Sequence, residues 1–233
     1  MNREGIEGEI KGRREIERVR ERGDINRVRR MNKIVKGIMV MGCNSGGGIK
    51  EGDEGKARKG DGSVIDLKVI GEKIKSALEF AGKVKEVHVL VKSVDELAKA
   101  IGKKIKNDGG LDTEAGKNGS LLAGVHSVIS ALKAKVELLE KTSGISNDLK
   151  TKVTEVRNKV DAFLTKLKEN HSDLGKHDAA ADDAKKAILV SNGDKSKGAT
   201  ELTQLNSSID ELLTASNKIV SDAIAELVVK PTA

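Results

Sequence analysis

Between residues 70 and 105 apolar side chains recur at alternating steps of three and four: Ile70, Ile74, Ala77, Ala81, Val84, Val91, Val94, Ala98, Ile101 and Ile105, with only the turn at Val87 and His88 out of step. That spacing is a heptad seam, and it predicts one helix of about 40 residues, roughly 60 Å at 1.5 Å per residue. A second stripe through Leu67, Leu78, Val87, Leu90 and Leu97 widens the apolar face. A helix so long and wide can cover its own domain and a second copy at once, so a homodimer through this first helix is expected. Asp61-Gly62-Ser63 offers its start, and Asn107-Asp108-Gly109-Gly110 supplies turn chemistry at its end.

Three further apolar stripes follow. Leu121, Leu122, Val125, Val128, Ile129, Leu132, Val136 and Leu139 predict a helix from about 120 to 142, closed by Gly144. Ser146 is placed to cap the next, whose face is Leu149, Val153, Val156, Val160, Phe163, Leu164 and Leu167. A polar loop from Asn170 leads to a short helix near 179–190, stopped by Asn192-Gly193. The last helix, about 198–228, carries Leu202, Leu205, Ile209, Leu212, Leu213, Ile219, Val220, Ile224 and Leu227. The chain has a single proline, Pro231, and is rich in Ala, Leu, Lys and Glu. The fold class expected is all-α, an antiparallel bundle of four long helices and one short one with polar loops and room for a minor β-hairpin near 107–119.

Composition narrows the function. Phe80 and Phe163 are the only residues of the Phe, Tyr and Trp set, which nearly excludes binding modes that stack bases or sugars on aromatic platforms. The net charge of +7 is uneven: residues 1–42 carry 12 Lys+Arg and 7 Asp+Glu, leaving 31 and 29 for the remainder. The basic character therefore belongs to the leading segment, and no nucleic-acid partner is expected for the bundle.

Cys43 is the only cysteine, so no disulfide forms within the chain. Basic Arg29, Arg30 and Lys33 precede the mostly apolar stretch 34–42, and Asn44-Ser45-Gly46-Gly47-Gly48 follows the cysteine. This order makes up a bacterial lipoprotein signal, in which the thiol takes a diacylglyceryl group. Lys36 interrupts the apolar run and thirty residues of highly charged sequence precede it, so a lone, partly buried thiol is the competing reading of the same residues. The organisation expected is an atypical charged extension at 1–30, a short lipoprotein-type signal at 31–42, a Gly-rich tether at 43–62, the bundle at 63–229 and a tail at 230–233. Translation from Met31, or an upstream extension of the reading frame, would account for residues 1–30. No stretch approaches the roughly 20 apolar residues of a membrane-spanning helix.

Catalytic motifs are lacking. The sequence has no Gly-x-Ser-x-Gly elbow, no Cys/His pair and no phosphate-binding Gly-Lys-Ser/Thr loop, so no catalytic residues, no metal ligands and no cofactor apart from lipid on Cys43 are expected. His171, Asp173 and His177 share one loop as weak candidates for a divalent ion, set against solvated loop residues. Lys85 and Glu86 lie midway along the long helix, on the flank of its seam; they read either as a solvated pair or, between two copies, as the lining of a polar cleft for ligand binding.

Several blocks resemble a known family. Gly42-Cys43-Asn44-Ser45-Gly46-Gly47, Val84-Lys85-Glu86-Val87 and Val94 to Ile105 are similar to the variable small proteins of relapsing-fever Borrelia. Gly110 to Glu114, Asn118 to Gly124, Thr165 to Lys168, Ser172 to Lys176, Ala184 to Leu189 and Lys197 to Ala199 look like the related outer surface protein C. The resemblance implies a spirochaete lipoprotein acylated on Cys43, anchored in the outer membrane and exposed at the cell surface. It implies a helical bundle dimerising through its first helix, and Lys85 and Glu86 match a position near the dimer's distal cleft. It further implies a dominant antigen that varies to escape host antibodies, with plasminogen or glycosaminoglycans as host ligands and the loops near 107–119, 141–147, 170–180 and 192–197 as the antigenic surface. The alternative kept beside it is a cytoplasmic helical protein whose basic N-terminal segment binds nucleic acid or membrane.

Overall fold

A computed structural model describes residues 56–58 and 64–227. The chain divides into two units, Met1–Ala57 and Arg58–Ala233, and the helices belong to the second. The charged extension, the signal, Cys43, most of the tether, the Asp61-Gly62-Ser63 start and the tail lie outside the described residues.

The elements in chain order are β1 (Lys56–Arg58), β2 (Val64–Asp66), α1 (Leu67–Ala98), β3 (Lys103–Ile105), β4 (Leu111–Thr113), α2 (Gly119–Glu140), α3 (Asn147–Glu169), α4 (His171–Leu174), α5 (Ala181–Ile188) and α6 (Ala199–Ala225). The all-α class and the four long helices plus short α5 agree with the sequence. One addition is α4, a single turn inside the expected polar loop, drawn inward by Leu174, which is buried.

Helix α1 starts at Asp66, whose carboxylate accepts the free N–H groups of Lys68 at 2.9 Å and Val69 at 3.2 Å. It is 32 residues long and ends at Ala98, short of the Ile105 that periodicity suggested. Gly102, at φ +67, turns the chain out of helical geometry there. Ile101 still reaches the core, but Ile105 lies on β3 and is 82% exposed. The seam keeps the expected Ala77, Val84, Val91, Val94, Ala98 and Ile101 and differs in running through Phe80 and Val87. Buried residues run Ala77, Phe80, Val84, Val87, Val91, Val94, Ala98 and Ile101, an unbroken three–four alternation. The apparent irregularity at Val87 came from following Ala81, which is only half-buried, instead of Phe80. Leu78, from the second stripe, faces outward.

The long helices are antiparallel to their neighbours and form a ring in the order α1, α2, α3, α6. Glu86 on α1 meets Lys135 on α2 at 2.7 Å, and Lys133 on α2 meets Asp161 on α3 at 2.7 Å. Lys152 on α3 meets Glu211 on α6 at 3.4 Å, while α6 returns to α1 through His88–Asp210 at 3.0 Å and Lys73–Glu226. Inside the ring, Val125, Ile129, Leu132 and Val136 of α2, Val153, Val156, Val160 and Phe163 of α3, and Leu202, Leu205, Ile209 and Leu212 of α6 are all wholly buried. Ser146 caps α3 as expected, accepting from the Leu149 N–H at 3.3 Å.

The helices differ in length, and this polarises the domain. Glu86 sits opposite Lys135, five residues before the end of α2, so the first four turns of α1, about 20 Å, run past α2. They pair with the end of α6 as a two-helix stem, buried at Ile70, Ala77 and Ala223. The β3–β4 hairpin, α4, α5 and the 189–198 segment lie at the other pole, whereas the 141–146 turn lies on the stem side.

Phe163 is fully buried, and a Cβ at Gly198, just before α6, would stand 3.1 Å from its ring, so Phe163→Ala is expected to cost about 3–5 kcal/mol in urea unfolding. Leu138→Ala, at a residue 63% exposed, is expected to cost under about 0.5 kcal/mol.

Candidate functional site

The residues singled out from sequence do not converge. Glu86 is tied to Lys135 on α2, and that hydrogen bond and charge hold its carboxyl below the usual range. Lys85, one residue earlier, points away and makes no ion pair among the described residues. The two lie near the middle of α1, about 18 Å from its C-terminal end, and not at the loop-bearing pole. His171 places Nδ1 at 3.1 Å from the Lys168 carbonyl, and Asp173 is occupied by Lys197 Nζ at 2.5 Å. Among the described residues no three His, Cys, Asp or Glu side chains group to hold a metal ion.

What the fold does assemble is the pole opposite the stem, and its centre is Asn118. This residue is 2% exposed and stands at the N-cap position of α2, yet its side chain does not cap the helix. The amide oxygen instead accepts the Gly102 N–H at 2.8 Å, fixing the turn after α1. The amide nitrogen donates to the carbonyls of Ala115 at 3.1 Å and Ala179 at 2.9 Å. One buried amide thus joins the hairpin, the start of α2 and the chain entering α5. Gly119 permits the closeness: a Cβ there would stand 2.2 Å from the Lys176 carbonyl oxygen. Ala181 N–H completes the join by donating to Ala115 O at 2.8 Å.

Charge pairs secure the rest of the pole. Lys197 bridges Asp173 at 2.5 Å and Asp183 at 2.7 Å, which raises the Lys197 pKa and lowers that of Asp173. Asp194 is held down to about 2, first by hydrogen bonds from Ser196 and then by Lys186. Over this frame the β3–β4 hairpin is exposed along its whole length, with Lys103 paired to Thr113, Lys104 to Asp112 and Ile105 to Leu111.

Two further surfaces belong to α1. Toward α6 runs a polar strip in which His88 Nε2 meets Asp210 at 3.0 Å and Lys92 reaches both Asn206 at 2.9 Å and Asp210 at 3.2 Å. Asp95, on the same strip, has its pKa raised by burial. Outward, Gly71, Lys75, Leu78, Gly82, Lys85 and Val89 repeat at heptad spacing and are all exposed. A Cβ at Gly71 or Gly82 would meet nothing within 4 Å.

Sequence reading missed Asn118 as an organising residue because its partners lie 16 and 61 residues away. The block Asn118 to Gly124 stood out only as a resemblance.

Comparison with known proteins adds a second line of observation. Residues 64–233 match the family described as Lipoprotein. The chain is 45% identical to variable small protein 11 of Borrelia hermsii over 193 residues, 82% of this chain and 91% of that one. It is 40% identical to outer surface protein C of Borreliella burgdorferi over 194 residues, covering 82% and 88%. The solved structure of variable small protein 1 of Borrelia turicatae superposes with a TM-score of 0.67 at 53% identity, covering 70% of this chain and 99% of that one.

Asn118→Ala removes the acceptor of a buried N–H and is expected to cost about 1–3 kcal/mol, with faster amide exchange at Gly102 than in mid-α3. The stabilisation that Asp194 contributes is present above its unfolded-state pKa near 4 and is lost as pH falls toward about 2. An NMR carboxyl titration is expected to move further toward the ordinary value in Ser196→Ala than in Lys186→Ala.

Proposed function

Since this chain belongs to the family of Borrelia variable small proteins and outer surface protein C, which are surface lipoproteins, we propose that it is held in the outer membrane by lipid on Cys43 and displays its stem-distal pole to the host as a variable antigen. The observation that carries this reading is the polarity of the bundle. Cys43 precedes α1 in the chain and α1 begins at the stem, while the hairpin, α4, α5 and the 189–198 segment gather at the far end. An anchor on the stem side turns that pole outward. Acyl chains contribute about 0.8 kcal/mol per buried CH₂, and two or three of them hold a domain of this size stably.

The antigenic surface in this reading is narrower than the resemblance implied. Segments 107–119, 170–180 and 192–197 share the exposed pole, but the 141–147 turn lies on the stem side, toward the membrane. Side chains of the hairpin bear on nothing inside, so they can change without disturbing the core. Antibody pressure would therefore act where substitution costs the fold least.

The outward face of α1 is the surface proposed for a second copy. Gly82 lets another backbone approach, with Leu78 and Val89, 40% and 55% exposed, to either side. Lys85 falls inside this contact, so in this reading it lies between the two copies.

Intact mass of protein from the detergent phase of expressing cells is expected to show a chain beginning at Cys43 with added acyl mass, and Cys43→Ser is expected to move it to the aqueous phase. An unacylated wild-type chain in the aqueous phase would overturn the anchor. For the dimer, Gly82→Glu and Val89→Glu are expected to yield monomers by sedimentation with unchanged helicity.

A further inference from the structure

Strands β3 and β4 form a two-stranded sheet whose outer edges pair with no other strand among the described residues. Hydrogen bonds from Lys106 N–H to Gly110 O and from Glu114 N–H to Gly102 O, each 2.8 Å, set its alternation. Lys106/Gly110, Lys104/Asp112 and Gly102/Glu114 are then the bonded pairs, and Ile105/Leu111 and Lys103/Thr113 the non-bonded ones. It follows that the N–H and C=O of Ile105 and the C=O of Lys103 point out from the free edge of β3. The corresponding edge of β4 is less available, because the Thr113 N–H is already taken by Asp112 Oδ1 at 2.8 Å.

The side chains on β3 are as unusual as its edge. Ile105 is 82% exposed and its cross-strand partner Leu111 is 58% exposed, a stacked aliphatic pair in water. Lys104 lies on the opposite face of the strand and Lys106 continues that face past the strand's end. Lys103, Lys104 and Lys106 make no ion pair among the described residues, whereas nearby Lys99 and Lys117 are paired with Glu96 and Glu114. Strands with open edges are normally blunted, and here lysines do the blunting against strands of like charge while inviting those of opposite charge.

We propose that the free edge of β3 docks an extended, acidic segment of a partner protein that alternates carboxylate and aliphatic side chains. Added antiparallel or parallel, such a segment would satisfy the outward groups of Ile105, lay an aliphatic residue beside Ile105 and place carboxylates beside Lys104 and Lys106. An anionic bilayer fits less well. It would leave the outward N–H and C=O of Ile105 unpaired and would press Asp108 and Asp112 against negative charge. The inference is independent of the lipid on Cys43, so its failure leaves the surface reading untouched.

The test is a titration of the ¹⁵N-labelled full chain with a ten-residue peptide of alternating Glu and Val, with a Lys–Val peptide and phosphatidylserine vesicles as comparisons. Saturable shifts centred on the Ile105 amide are expected, with at least tenfold weaker binding by the Lys–Val peptide. Ile105→Pro deletes the outward N–H at an exposed position and is expected to weaken binding about tenfold. The combined K103E, K104E and K106E variant is expected to abolish it at unchanged helicity. No shift in β3, equal binding of the Lys–Val peptide, or vesicle binding that Ile105→Pro leaves intact while the peptide does not bind would each overturn the proposal.

Discussion

Burial of one apolar seam on α1, from Ala77 to Ile101, is the constraint on which the rest of the domain depends. The seam is built from Ala, Val and Ile with a single Phe, so it is narrow, and three other helices of similar composition must close around it to exclude water. Heptad spacing keeps the seam on one side of a long helix, which favours neighbours lying nearly along its axis. Antiparallel order follows because each long helix starts at the pole where the one before it ends, and it brings the start of α1 and the end of α6 together as the stem. The neighbours are joined at their edges by ion pairs such as Glu86–Lys135 and Lys133–Asp161. These pairs are largely exposed, so they contribute to register more than to stability.

The two poles are organised by different physics. At the stem, two helices simply continue past the others and share a few apolar contacts at Ile70, Ala77 and Ala223. At the far pole no long helix continues, and the backbone groups of the segments that join the hairpin, α2 and α5 have to find partners outside helices and strands. Asn118 meets much of that need. A buried amide has both donor and acceptor capacity, and this one uses both, toward segments far apart in sequence. The consequence is a fixed interior frame under a surface whose side chains are free of internal duties.

The polar strip between α1 and α6 shows the same economy within the bundle. Asp210 receives both His88 and Lys92, and Lys92 also reaches Asn206. Apolar residues occupy the ring's centre and these groups its margin, so the strip aligns two long helices without placing a charge in the core. The opposite margin of α1, where Leu78, Gly82 and Val89 face out, has no such cross-helix partners among the described residues.

Much of the architecture was legible in the chain. The stripes on α2, α3 and α6, the Ser146 cap and the all-helical class follow from spacing, because a helix repeats every 3.6 residues and its buried face must repeat with it. The long first helix ends seven residues before its apolar pattern does, and its seam takes Phe80 and Val87 in place of Ala81, since Ala81 and Ile105 continue a local pattern as well as Phe80 and Ala98 do. Its true end is set by Gly102 and by Asn118, 16 residues on, and the separation of Glu86 from Lys85 is set by Lys135, 49 residues from Glu86. Local periodicity determined which residues are helical and which face is apolar. Only the tertiary structure decided where α1 stops, which pole carries the hairpin and which polar residues are spent inside, because those outcomes rest on contacts between segments that a one-dimensional pattern does not bring together.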